Sequence, residues 1–289
     1  MTIPGLRGSS PWAVANRACR DFVADDMPTY AAALAFRSLL ALVPFAIFLL
    51  ALLGSLGLAD FFDWLVRQAQ TALPRDAAAL ASQVVAEVRG QASGGLLTFG
   101  IATALWAASA AVRSLMTALN AVHGVTESRP IWKRYPLSVA YTLALTAMLI
   151  AAAGLMLIGP RAVGWVAGQA SLGGPAVALW VWLRWPAALL LLLAAVATAY
   201  HAAPDIARPF RFATPGSVLA VAAWVAASLG FAAYAGRFGA FGATYGSLAG
   251  AVVLLLYLFL SAAALLLGAE VDAAIDRLAG DGEPDPPRG

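Results

Sequence analysis

Apolar residues in this chain come in long unbroken runs rather than in alternating stripes. The longest is FGATYGSLAGAVVLLLYLFLSAAALLLGAEVD, Phe241 to Asp272, with no charged residue between Thr244 and Ala269. As a helix it is long enough to cross about 30 Å of hydrocarbon. At 100° per residue, Gly242, Gly246, Gly250, Tyr257, Ser261 and Gly268 fall on one side, and the leucines spread over the rest. Small residues at i, i+4 and i+8 let a second backbone approach closely, as membrane helices do where they pack. The pattern therefore predicts a packing face on Gly242, Gly246, Gly250, Ser261 and Gly268. The run closes on Glu270 and Asp272, a carboxylate pair where hydrocarbon gives way to water.

Five further runs predict spans at about 29–56, 96–118, 137–158, within 177–200, and at 215–234. The expected fold is all-α, a polytopic membrane protein of six transmembrane helices. Before the first span, residues 1–28 carry Trp12, Ala15, Ala18, Cys19 and Phe22 at helical spacing, with charges interleaved. This reads as an amphipathic helix lying at the membrane interface. Residues 58–94 show two apolar faces, Phe61 to Val66 and Leu80 to Val88, broken at Leu73-Pro74. They predict a short periplasmic or interfacial helical pair after the first span. The transmembrane domain is expected over 29–272, and the Pro-, Gly- and acid-rich 273–289 as a disordered tail.

Composition supports that class. Of 289 residues 62% are hydrophobic and 11% are charged, about half the charge of a soluble domain. The single Cys19 excludes an internal disulfide and supplies no zinc set. The net charge of +3 is not gathered into a basic face, so nucleic acid is not an expected partner. Basic residues are concentrated in the N-terminus, the 119–136 and 204–213 loops and the tail. The positive-inside rule then places both termini in the cytoplasm.

Several stretches together resemble the YihY/BrkB family of bacterial inner-membrane proteins, once labelled ribonuclease BN. AAALAFRSLLALVPF (Ala31 to Phe45) is similar to the first span of that family, with its internal proline. LWAASAAVRSLMTALNAVHGVTESRPIWKR (Leu105 to Arg134) is similar to its most distinctive block, through Arg113, Asn120, Gly124, Glu127 and Arg129. Ala213 to Trp224 and Tyr245 to Ala273 resemble the C-terminal blocks. The resemblance implies an envelope protein with six transmembrane helices, for which roles in serum resistance and in moving lipid or lipopolysaccharide precursors have been proposed.

The polar residues inside the spans are the candidate chemistry. Arg37 lies about 12 Å into the first span, and Thr103, Trp106, Ser109, Arg113, Thr117 and Asn120 form a polar stripe on the second. In one reading, Arg37, Arg113 and Asn120 receive an anionic headgroup, with Glu270 as counter-charge in the empty state. Arginine suits phosphate because its planar fork donates two parallel hydrogen bonds. In the other, the arginines snorkel to the interface and pair with Glu270 or Asp272 to hold the bundle. Arg129, Lys133 and Arg134 form a basic loop that can meet lipid headgroups at roughly 1 kcal/mol per charge; topology determination is its blander role. Two histidines without HxH or HExxH spacing, and no Walker A sequence, speak against metal-dependent cleavage and nucleotide hydrolysis. The chain is thus expected not to be an enzyme and to need no cofactor or metal. It is expected either to move an anionic lipid or lipid-linked envelope precursor, or to be a non-transporting scaffold for envelope assembly. Membrane lipids are the expected partners, and envelope-assembly proteins or a second copy of the chain would use the glycine faces.

Overall fold

The computed structural model describes residues 10–55, 94–157, 174–206, 209–235 and 247–280. Among these residues there are seven helices and no strand: α1 (Pro11–Ala24), α2 (Met27–Ser55), α3 (Gly94–Val122), α4 (Ile131–Leu157), α5 (Gly174–Ala202), α6 (Pro215–Ala235) and α7 (Ser247–Gly280). The helical pair expected at 58–94 lies outside the described residues, save Gly94, which opens α3. Gly242 and Gly246 lie outside them too.

Among the described residues, three segments are long and apolar enough to cross a membrane: Trp182–Ala202, Pro215–Tyr234 and Gly250–Ala279. Met27–Leu42 is a shorter apolar stretch of the same kind. Large apolar side chains stand outward on these helices, among them Trp182, Leu183, Leu189 and Leu190 on α5 and Val252 and Leu256 on α7. Surface of that size and polarity belongs against lipid tails rather than water.

Two boundaries differ from those read in the sequence. Helix α4 begins at Ile131, six residues before the expected Leu137, because Lys133 and Arg134 both donate their backbone N–H groups to the Pro130 carbonyl. Pro136 is the sixth residue of that helix and has no N–H to give the Trp132 carbonyl. Helix α7 runs on past Asp272 to Gly280, so residues 273–280, assigned to the tail, are helical. Ala273, Ala274 and Ile275 are buried there.

The chain divides into two compact units. The first comprises Met1–Pro28, Met116–Trp224 and Ala263–Gly289; the second comprises Thr29–Leu115 and Val225–Ala262. In the first, Val14 and Ala18 of α1 pack on Val271, Ala274 and Ile275 of α7, with Leu278 at the edge. Spacings of four on α1 and of three and four on α7 make this an ordinary ridge-and-groove contact. Helices α4 and α5 lie along one another. The end of α3 is set by Gly124 at φ +63°, with Gly124 N–H donating to Ala121 O (2.9 Å) and Val125 N–H to Asn120 O (3.0 Å). That is a Schellman cap, and a side chain at Gly124 would be strained. Helices α6 and α7 touch at Gly216 and Gly268. A Cβ on either would come within 3 Å of the other's carbonyl oxygen, and one on Gly268 would also strike Ala220 and the Tyr200 hydroxyl.

In the second unit, α6 and α7 meet through Tyr257. Its hydroxyl is 3.1 Å from Ser228 Oγ, and its ring is 5.0 Å from that of Phe231. The Ser261 hydroxyl donates back to the Tyr257 carbonyl of its own helix at 2.8 Å. A Cβ at Gly250 would meet nothing within 4 Å.

Candidate functional site

In the first unit the α3–α4 turn is clasped to the end of α5 by a continuous polar lattice. Arg129 Nε and Nη2 donate to the two oxygens of Glu127 at 2.6 and 3.0 Å, a bidentate fork. The same Nη2 reaches the Ala203 carbonyl at 2.8 Å, and Nε lies 3.5 Å from Asp205 Oδ1. Asp205 in turn accepts from Ser128 N (2.8 Å) and Ser128 Oγ (2.5 Å). Asn120 closes the ring: its Oδ1 accepts from Asp205 N at 2.7 Å, and its Nδ2 donates to Glu127 Oε2 at 3.2 Å. Arg134 Nη2 donates to Thr117 Oγ1 at 2.7 Å, with Nε 3.6 Å from Glu127.

Charges here act on one another. Dehydration raises the Glu127 carboxyl, but the hydrogen bonds and charge of Arg129 outweigh it and hold the group below its usual range. Dehydration likewise lowers the Arg129 guanidinium, and Glu127 more than reverses this. The Asp205 carboxyl is held down chiefly by the Ser128 hydroxyl and then by the Ser128 N–H.

Of the residues expected to meet headgroups, Asn120, Arg129 and Arg134 are thus engaged in this lattice. Lys133 instead sits in the first turn of α4, its Nζ 5.0 Å over the Trp132 ring. Trp132 and Ile131 are largely exposed beside it.

Elsewhere in the first unit, Asp272 accepts from Thr214 Oγ1 (2.5 Å) and Gly216 N (2.8 Å). It caps the N-terminus of α6 from another helix, where a negative charge is favoured. Glu270 is fully buried, and neither carboxylate oxygen has a hydrogen-bond partner among the described residues. The guanidinium of Arg277, about two helical turns on, stands 3.9 Å from it. Arg277 gives its closer contacts to Asp21 (2.5 Å) and to the Val122 carbonyl (2.5 Å), with Asp25 at 3.6 Å.

Arg37 and Arg113 belong to the second unit. Arg37 Nη1 donates to the Ala110 carbonyl of α3 at 3.3 Å, and no carboxylate among the described residues pairs with it. Its side chain is exposed, next to the exposed Phe36 and Leu40. Arg113 Nη1 donates to Ser109 Oγ at 2.8 Å and lies over the Trp106 ring at 5.5 Å. Ser109 is itself buried and bonded to the Trp106 carbonyl. The polar stripe of α3 thus holds one arginine by a hydroxyl and an aromatic face, and offers a carbonyl to a second.

Sequence reasoning missed the partners rather than the participants. Asp205 and Ser128 stand 77 positions apart, and Asp21 and Arg277 stand 256 apart. Spacing within one sequence carries no signal for such pairs. Among the described residues, no three of His, Cys, Asp and Glu gather as ligands for a metal ion.

Long apolar helices with this outward apolar surface define a helical integral membrane protein. The chain belongs to the BrkB family: the family model for virulence factor BrkB matches residues 18–288. It is 33% identical over 248 residues to the putative ribonuclease-like protein YfkH of Bacillus subtilis, covering 85% of this chain and 89% of that one. It is 30% identical over 139 residues to a UPF0761 membrane protein of Tolumonas auensis, covering 47% of this chain and 44% of that one. A UPF0761 membrane protein of Verminephrobacter eiseniae is 26% identical over 285 residues, 93% of this chain and 63% of its own length. The chain thus spans less than two thirds of these two UPF0761 proteins. No solved structure matches.

Proposed function

We propose that this BrkB-family protein moves an anionic lipid, or a lipid-linked envelope precursor, between leaflets of the bacterial inner membrane. Six spans, cytoplasmic termini and a periplasmic 58–94 segment complete the arrangement. A polar groove opens to the cytoplasmic leaflet, the headgroup travels along it, and the acyl chains stay in the bilayer. The observation that carries this reading is Arg37, an exposed cation within an apolar helix, bonded to one backbone carbonyl and flanked by Phe36 and Leu40. A charge in that setting is costly unless an anion meets it. A lipid phosphate supplies two acceptor oxygens for the guanidinium fork while its tails cover the apolar neighbours. Arg113, already oriented by Ser109 and Trp106, adds a second fork along the same stripe. At the start of α4, Lys133 beside the exposed Trp132 meets headgroups at the interface.

One observation favours the alternative of a non-transporting scaffold for envelope assembly. The clasp of Asn120, Glu127, Arg129 and Asp205 uses its donors on itself, as a rigid support would. Purified protein in liposomes separates the two. Transport predicts faster loss of outer-leaflet label asymmetry for a phosphatidylglycerol analogue than for a phosphatidylcholine analogue, above protein-free vesicles. A scaffold accelerates neither.

A further inference from the structure

We propose that Glu270 is a proton-binding site and that the bound proton holds α1 docked on α7. This goes beyond the transport reading and does not depend on it. Glu270 is fully buried, and both its oxygens lack a hydrogen-bond partner among the described residues. An ionised carboxylate so placed loses its hydration and gains no hydrogen bond in exchange, only Arg277 at 3.9 Å, whereas the neutral acid loses far less.

Two carboxylates nearby push the same way, and one guanidinium opposes them. From α1 and its C-cap, Asp21 and Asp25 face Glu270; from its own helix comes Arg277. Arg277 is 2.5 Å from Asp21, 3.6 Å from Asp25 and 3.9 Å from Glu270. Its other strong bond goes to the Val122 carbonyl at the end of α3, which His123 follows. Arg17 stands 3.7 Å from Asp21. From α5, Tyr200 gives its hydroxyl to the Leu265 carbonyl, and Asp272 is turned to the α6 N-terminus. One guanidinium therefore serves three carboxylates, and its nearer bonds are to those of α1.

With Glu270 neutral, Arg277 bridges α1 to α7 and α3 without competition, over the apolar contact of Val14 and Ala18 with Val271 and Ile275. With Glu270 ionised, a buried negative charge faces two others on α1 and competes for the same cation. The relief is for α1 to lift, which lets water reach Glu270. Docking thus carries a stability contribution present while the proton is bound and lost as rising pH removes it.

The test uses full-length protein in lipid vesicles, and the single exposed Cys19 on α1 supplies the probe site. Infrared difference spectra against pH should show a buried protonated-carboxyl stretch that is still present when the exposed carboxyls have ionised. The band should be missing in Glu270→Gln. A nitroxide on Cys19 should gain mobility as the band disappears, and should keep its low-pH signature throughout in Glu270→Gln. Asp25→Asn, which removes one facing negative charge and keeps Glu270, should move the loss of the band down by about one pH unit. A band lost at the free-glutamate pH, or a band unchanged in Glu270→Gln, overturns the proton site. A Cys19 nitroxide indifferent to the titration overturns the latch.

Discussion

Replacing Arg129 by alanine removes the hub of the clasp between the α3–α4 turn and the end of α5. Three donations disappear: two to Glu127 at 2.6 and 3.0 Å and one to the Ala203 carbonyl at 2.8 Å. Hydrogen bonds with a charged partner contribute about 1.5–3 kcal/mol each in favourable settings. They do not add in full here, because Arg129 and Glu127 each keep 16% of their side-chain surface in contact with solvent. What remains after Arg129→Ala is a carboxylate that has lost its main partner, and losses of that kind run to about 3 kcal/mol when the pair is mostly buried. Arg129→Lys keeps the charge but not the fork, so it should recover about half of the loss. Equilibrium unfolding in mixed micelles, read by circular dichroism, gives both numbers. The pair Arg129→Ala with Glu127→Gln should cost less than the sum of the single changes, by about 1 kcal/mol or more. Arg129→Ala within about 0.5 kcal/mol of the parent would refute the reasoning and make the clasp ornamental.

Acid should weaken the same clasp. Glu127 and Asp205 have carboxyls held below their usual range, so their contribution is full above the unfolded value of about 4 and is lost as pH falls through the folded one. The midpoint of urea or detergent unfolding should fall as pH drops below about 4, and Glu127→Gln should flatten that dependence. Gly268→Ala should destabilise by about 1–3 kcal/mol, because its Cβ meets backbone at Gly216. Gly250→Ala, with open space beside it, should be neutral or slightly stabilising through helix propensity, by up to about 1 kcal/mol; thermal unfolding of the two variants side by side decides it.

Helix α6 was legible because Pro215 opens it and a uniformly apolar run fills it to Tyr234, one residue short of the observed end. The start of α4 was not, since two cations and Pro136 mimic a loop, and only the Pro130 carbonyl reveals the helical turn. At the end of α7, Glu270 and Asp272 look like an exit into water. The burial of Glu270 and the pairing of Asp272 with the α6 N-terminus follow from tertiary contacts instead. Periodicity marked Gly268 as a packing residue along with Gly250, and backbone contact is found at Gly268 alone of the two. A helical wheel reports which face is small; it does not report at which height a neighbour crosses. Arg37 and Arg113 stood out as charges inside apolar runs, and that cost is a property of the residue and its run, readable without partners.

The most direct test of the central claim is headgroup translocation by the reconstituted protein, with Arg37→Ala and Arg113→Ala beside the parent. Vesicles carry a fluorescent phosphatidylglycerol analogue, and a membrane-impermeant reductant bleaches whatever reaches the outer leaflet. The parent should expose inner-leaflet label with time, and each variant should slow this by about tenfold, the loss of roughly 1.4 kcal/mol of headgroup interaction. Equal rates in all three proteins would remove Arg37 and Arg113 from the path. A parent rate no faster than that of empty vesicles would contradict lipid movement itself.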